Sequence, residues 1–137
     1  MAQAQPLIAV IDDEETVCRA LKRLLIASTL DVMTFSSGEL FLQSLAASRP
    51  DCVVLDLHMP GMSGLDVLKW MSSTRPCIPA IVITGRDEEA SRASCLAAGA
   101  LAYLPKPLDH SKLLQAIDEA LRRTRTVNGG QMPPTVQ

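Results

Sequence analysis

The stretch LIAVIDDEETVCRALKRLLIAS, Leu7 to Ser28, sets the pattern for the whole chain. It opens on a continuous apolar run, Leu7–Ile11, with no polar alternation, the habit of a strand buried on both faces of a parallel sheet. Asp12, Asp13, Glu14 and Glu15 follow. Val17, Leu21, Leu24 and Leu25 then recur at helical spacing and share one face with Ser28. A buried strand, an acidic turn and an amphipathic helix make one βα unit.

The unit recurs along the sequence. Cys52–Leu55 and Ala80–Ile83 are further continuous apolar runs, while Val32–Phe35 and Leu101–Leu104 are less uniform and suit the edges of a sheet. Ser36 opens the second helix with Glu39 three residues on, a capping box, and Phe41 and Leu45 face inward. Ser63 and Asp66 repeat the device ahead of Leu68 and Met71. Ala90, Ala93, Leu96 and Ala97 form a small-residue stripe ended by Gly99. Asp109 caps the last helix, whose stripe is Leu113, Ile117 and Leu121. Right-handed crossovers place the helices on both faces of one sheet. Five units are too few for an eight-stranded barrel. The expected fold is an α/β, doubly wound, five-stranded parallel sheet of flavodoxin type, (βα)5, with strand order 2-1-3-4-5. The domain is expected over residues 1–123, with 124–137 a flexible tail rich in Gly and Pro.

Composition narrows the function. The chain has 137 residues, 47% of them hydrophobic, so a disordered chain is excluded. Thirteen basic against fifteen acidic groups leave a net charge of −2, with no global pull toward nucleic acid. No apolar run approaches the roughly 20 residues of a membrane span. Residues 1–6 show no secretory signal, and a cytoplasmic location is expected. Cys18, Cys52, Cys77 and Cys95 form no CxxC pair, with only His58 and His110 to assist them. They read as reduced thiols, mostly core filler, rather than a zinc site.

In an open α/β sheet the site lies beyond the carboxyl ends of the strands, at the point where the strand order reverses. There the first strand ends in Asp12 and Asp13, the third in Asp56 and the fourth in Thr84, and Lys106-Pro107 follows the fifth. Any one of these could serve as a turn residue, a helix-end charge or a solvated lysine; the fold brings all five to one rim. Clustered carboxylates repel by roughly 4 kcal/mol per pair at about 4 Å, for an effective dielectric near 20, so they capture cations. Lys106 supplies one charge. Oxygen donors without paired Cys or His suit Mg²⁺ or Mn²⁺. Carboxylates, a lysine and a hydroxyl together suit phosphoryl transfer, with Asp56 as nucleophile.

IDDEE at Ile11–Glu15, VVLDLHMPGMSG at Val53–Gly64, VITG at Val82–Gly85 and YLPKP at Tyr103–Pro107 resemble a bacterial two-component response-regulator receiver domain, over about Leu7 to Arg123. The ITG form is most similar to the nitrogen-fixation and nodulation regulators. The resemblance implies that Asp56 accepts a phosphoryl group from a histidine kinase or histidine phosphotransfer protein. It implies that Asp13, Asp56 and the backbone carbonyl of His58 hold the metal, with Asp12 acting through a water. Thr84 and Lys106 would hold phosphoryl oxygens, Lys106-Pro107 would be cis, and Tyr103 would be the switch aromatic. Leu108 stands where the family often has Phe, and His58 and Arg86 occupy variable positions. No output domain follows, so a single-domain regulator is favoured, as a monomer or a phosphorylation-dependent dimer that controls a protein partner and does not itself bind DNA. A receiver fragment of a DNA-binding transcription regulator is the alternative.

Thr84 is expected to turn toward the phosphoryl group, with Tyr103 rotating inward. The surface of the fourth helix, fifth strand and fifth helix should then change. The fourth helix, lined by its alanines, is expected to be lightly anchored. The chain is read as a phospho-acceptor that assists its own phosphorylation and dephosphorylation, and not as an enzyme. An aspartyl-phosphate phosphatase of the haloacid dehalogenase type wants a second Asp where His58 stands. A flavin phosphate would be repelled by Asp12–Glu15.

Overall fold

The computed structural model of the chain describes residues 5–74 and 77–128. The elements alternate as β1 (Leu7–Ile11), α1 (Glu15–Ala27), β2 (Asp31–Phe35), α2 (Gly38–Ser44), β3 (Cys52–Asp56), α3 (Gly64–Ser72), β4 (Ala80–Thr84), α4 (Glu89–Ala97), β5 (Ala102–Pro105) and α5 (His110–Asn128). The strands form one sheet in the order β2-β1-β3-β4-β5, every pair parallel. The less uniform runs, β2 and β5, are the two edges, as expected.

Period-two alternation divides the strands between two cores. Ile8, Val10, Cys52, Val54, Ile81 and Ile83 face α1 and α5, meeting Cys18, Leu21, Leu25, Leu113 and Ile117. Ala9, Ile11, Val53, Leu55, Ala80 and Val82 face α2, α3 and α4, meeting Phe41, Val67, Leu68, Met71 and Cys95. Every residue of β3 and β4 is buried, which is why neither run shows polar alternation. Cys18, Cys52 and Cys95 are buried free thiols; Cys77 is exposed.

Four local expectations need correction. Helix α2 is capped by Ser37, whose hydroxyl accepts from Leu40 N, not by Ser36. Glu39 closes no capping box; its carboxylate accepts from Met62 N instead, 3.3 Å away. On α4 the stripe of Ala90, Ala93, Leu96 and Ala97 faces outward, and Cys95 is the buried residue. Small apolar side chains carry too little transfer energy to fix which face turns inward. The tail does not begin at Thr124, because α5 continues through Asn128. No Gly or Pro interrupts it before Gly129, and i,i+4 pairs Asp118–Arg122 and Glu119–Arg123 support its last described turns. Residues 129–137 of the expected tail lie outside the described residues.

The other caps match. Ser63 and Asp66 form a complete capping box on α3. Asp109 accepts from Lys112 N at the start of α5. Gly99 takes φ +105° just past α4, the left-handed conformation that ends a helix.

Candidate functional site

β1, β3 and β4 end side by side, and their last residues and the next few make the site. Asp12 follows β1, is 1% exposed, and holds the turn into α1 by accepting from Glu14 N at 2.9 Å. Asp56 closes β3 at 4% exposure, and Thr84 closes β4 fully buried. Asp13 is exposed at the mouth. One carboxylate oxygen from each of Asp12, Asp13 and Asp56 lies within 4.8 Å of the others. Lys106, after β5, reaches back across the rim: its Nζ stands 3.0 Å from Asp12 Oδ2, 3.2 Å from Glu14 Oε1 and 3.6 Å from Asp56 Oδ1. The Lys106-Pro107 bond is cis.

The predicted residues Asp12, Asp13, Asp56 and Lys106 are therefore brought together. Glu14 is the acid that the reading of strand ends missed. Its position two residues past Asp12, in a turn closed on the Asp12 side chain, was the available signal.

The electrostatics follow from this crowding. Burial, and then the neighbouring charge of Asp12, push the Asp56 carboxyl up from 3.8 to about 6, with Lys106 pulling the other way. Burial alone would lower the Lys106 ammonium, but the hydrogen bond and charge of Asp12, joined by Asp56 and Glu14, outweigh it and hold the lysine above its ordinary value. Cys18, whose thiol donates to the Asp12 carbonyl at 3.3 Å, is pushed up by burial and by Asp12. One lysine offsets part of an excess of negative charge. An all-oxygen donor set of three convergent carboxylates fits a hard divalent cation such as Mg²⁺ or Mn²⁺.

Thr84 is held by the next loop. Its hydroxyl donates to the Arg86 carbonyl at 2.9 Å and accepts from Arg86 N at 3.0 Å. The same carbonyl accepts from the Tyr103 hydroxyl at 3.4 Å. Tyr103 is already buried, 3% exposed, with the Arg92 guanidinium 5.0 Å over its ring. Its ring is thus turned inward in this structure. The ring completes the core between β4 and α4, and its hydroxyl has a backbone acceptor there.

Residues 8–118 match the response regulator receiver domain family. The chain belongs to that family. The receiver domain is 39% identical over 122 residues to "Response regulator MprA" of Mycolicibacterium vanbaalenii, covering 89% of this chain and 53% of that protein. It is 39% identical over 118 residues to MprA of Mycobacterium leprae, covering 86% and 52%. The chain thus spans about half the length of the curated relatives it matches. Among solved structures, the response regulator StyR superposes with a TM-score of 0.82 at 32% identity, covering 92% of this chain and 64% of that one. A response regulator receiver domain protein of Clostridium thermocellum superposes at 0.83 with 31% identity, covering 89% and 98%. The flavodoxin-like arrangement of two-component receiver domains is therefore shown. Placement among the nitrogen-fixation and nodulation regulators has no support from these relatives. No helix among the described residues is long and apolar enough to cross a membrane.

Proposed function

We propose that this receiver domain is a phospho-accepting switch, with Asp56 taking a phosphoryl group from a histidine kinase or histidine phosphotransfer protein. The observation that supports this most is the buried Asp56 carboxylate set beside Lys106 and within reach of two further carboxylates. In the transfer, an Asp56 oxygen forms a bond to phosphorus as the donor's phosphorus–nitrogen bond breaks, leaving an acyl phosphate on Asp56 and the imidazole on the donor. Asp56 is ionised at neutral pH despite its raised value, as a nucleophile must be. Lys106 has to exchange some of its contacts with Asp12 and Glu14 for the incoming oxygens, a charge-assisted bond replacing a charge-assisted bond. Asp13, Asp56 and the His58 carbonyl would hold a divalent cation, with Asp12 acting through water; the cation would neutralise charge on the transferring group.

Thr84 links the site to the partner surface. If its hydroxyl turns to a phosphoryl oxygen, the Arg86 carbonyl loses one of its two donors. Tyr103 holds the other and lies beneath α4, so the loop and α4 shift together. The surface of α4, β5 and α5 is the proposed partner face, acting by population shift between states. Hydrolysis of the acyl phosphate at the same site resets the switch. A cytoplasmic location fits the donor and the free thiols.

Intact-protein mass spectrometry tests this. With a small phosphodonor and Mg²⁺, the wild-type chain should gain one phosphoryl group. The metal-free protein and Asp56→Asn should gain none. Full labelling of Asp56→Asn without metal would sink the assignment. A second reading is favoured by coverage. Because the matched relatives are about twice the matched length, the chain also fits the receiver part of a longer regulator, DNA-binding regulators included, rather than a single-domain protein. The full reading frame in the genome decides between them.

A further inference from the structure

The loop from Leu57 to Ser63 carries His58, and most of its ties are local. Leu57 N donates to the Ile83 carbonyl at 2.9 Å, and Gly64 N donates to the Leu57 carbonyl at 2.9 Å. Between those ends, Met62 N donates to Glu39 Oε2 at 3.3 Å, across 23 residues of sequence, from the first turn of α2. The same carboxylate lies under the turn at Gly61. That residue takes φ +76°, and a Cβ there would stand 3.2 Å from Glu39 Oε2. Gly38 lets α2 come this close: a Cβ at that position would stand 2.6 Å from Val67 Cγ2 and 3.2 Å from Met62 Sδ. Two consecutive residues thus press the start of α2 onto the loop, one by being small and one by being an acceptor. Glu39 in a capping box would have served α2 alone; here it serves the loop beyond β3.

We propose that Glu39 is a positioning residue for the metal site. By holding the Met62 amide it fixes the course of the loop, and with it the place of the His58 carbonyl four residues earlier. The inference rests on the reading of Asp13, Asp56 and the His58 carbonyl as metal ligands. Partners that orient ligands without touching the metal commonly matter about 10–100-fold in affinity. Glu39 is exposed and water competes for the Met62 amide, so an effect of about 3–10-fold is expected here.

The test uses the full chain as wild type, Glu39→Ala, Glu39→Gln and Asp13→Ala. Mg²⁺ affinity is read by calorimetry, and amide exchange at Met62 by NMR on metal-free protein. Glu39→Ala should speed exchange at Met62 and raise the Mg²⁺ Kd about 3–10-fold. Glu39→Gln keeps an acceptor oxygen and should stay within about 2-fold of wild type. A Glu39→Ala protein with wild-type Mg²⁺ affinity overturns the proposal, even if its Tm falls, because that is what a purely structural contact would do. Unchanged exchange at Met62 overturns it as well. Loss of binding in Asp13→Ala alongside an unaffected Glu39→Ala would leave the metal reading standing and the strut refuted. Wild-type binding in Asp13→Ala would refute the ligand reading itself, and the proposal with it.

Discussion

Helices α3 and α4 are both nine residues long, and each follows a strand that ends in a site residue, Asp56 for α3 and Thr84 for α4. Their attachment differs. α3 starts with a reciprocal capping box and buries Gly64, Val67, Leu68 and Met71. Its first residue sits so close to β3 that a Cβ on Gly64 would stand 2.4 Å from the Asp56 carbonyl oxygen. α4 follows Glu88, an N-cap residue that makes no side-chain cap bond, and buries Cys95 alone. A groove of about 290 Å³ runs between the two helices, lined in part by Leu57, Leu65, Ala90, Ser91 and Cys95. Asp56 therefore stands against a fixed wall and the hydroxyl of Thr84 against a yielding one. A site built this way can hold Asp56 still for chemistry while the Thr84 side moves, since local opening follows sparse burial.

Truncating a large side chain on each helix gives the largest contrast. Leu68→Ala on α3 removes a 2% exposed side chain and should cost about 2–5 kcal/mol. Leu96→Ala on α4 removes a 43% exposed one and should stay within about 0.5 kcal/mol. Urea denaturation of both variants reads the difference. Comparable losses would mean that α4 is as firmly seated as α3.

The fixed wall also carries strain of charge. In metal-free protein, Asp56 titrates at about 6 when folded against 3.8 in an unperturbed chain. Below about pH 4 both states hold the proton and no penalty arises. Between about pH 4 and pH 6 the unfolded state has given up the proton while the folded state still holds it, so stability falls across that window and levels off above it. The full loss, at pH 8, is on the order of 2–3 kcal/mol. Asp56→Asn should remove that slope and be the more stable protein at pH 8 in a chelator. Denaturation midpoints for the two proteins that run parallel from pH 4 to pH 8 would refute the assignment.

The caps give a smaller contrast. Ser63→Ala removes the side chain that accepts from Asp66 N and should cost about 1 kcal/mol. Glu88→Ala removes no such bond and should cost a few tenths at most, its only described partner being the Ser91 hydroxyl at 3.3 Å. Equal Tm losses for the two variants would show that the capping difference between the helices carries no energy.

What could be read from the sequence follows the same division. β3 and β4 were legible because strands buried on both faces leave an unbroken apolar run. That Asp12, Asp13, Asp56 and Lys106 lie close together was legible because a parallel sheet sends all its strand ends to one rim, where the three carboxylates and the lysine meet. Glu39 was misread because Ser and Glu three apart signal a cap whether or not the Glu side chain turns back; the acceptor it serves is 23 residues away. The inward face of α4 was misread for the reason that leaves it loose. Ser91, Cys95 and the alanines differ little in size, so nothing in their spacing outweighs the rest. Tyr103 was placed in the right strand, but its burial depends on an acceptor, the Arg86 carbonyl, that no side-chain pattern encodes.

The smallest effect is the one that most directly exchanges the two walls. Glu88 occupies the N-cap of α4 with φ −116° and ψ 137°, the extended geometry a capping residue needs, but its side chain bonds no backbone N–H of the first turn. Ser at that position can accept from the amide of the second or third helical residue, as Ser63 does for α3. Glu88→Ser should therefore stabilise the chain by about 0.5 kcal/mol. The gain should concentrate in α4 as slower amide exchange over residues 89–97, with α3 unchanged. If α4 moves when Thr84 is recruited, a better-anchored α4 also resists that move. Beryllofluoride, a phosphoryl mimic, should then shift the NMR signals of α4 and Tyr103 less in Glu88→Ser than in wild type, while signals around Asp12 and Asp56 shift as before. Slower exchange in α4 with an undiminished response there would show that the helix is loose for reasons unconnected with switching, and the fixed and yielding walls would be a difference in stability alone.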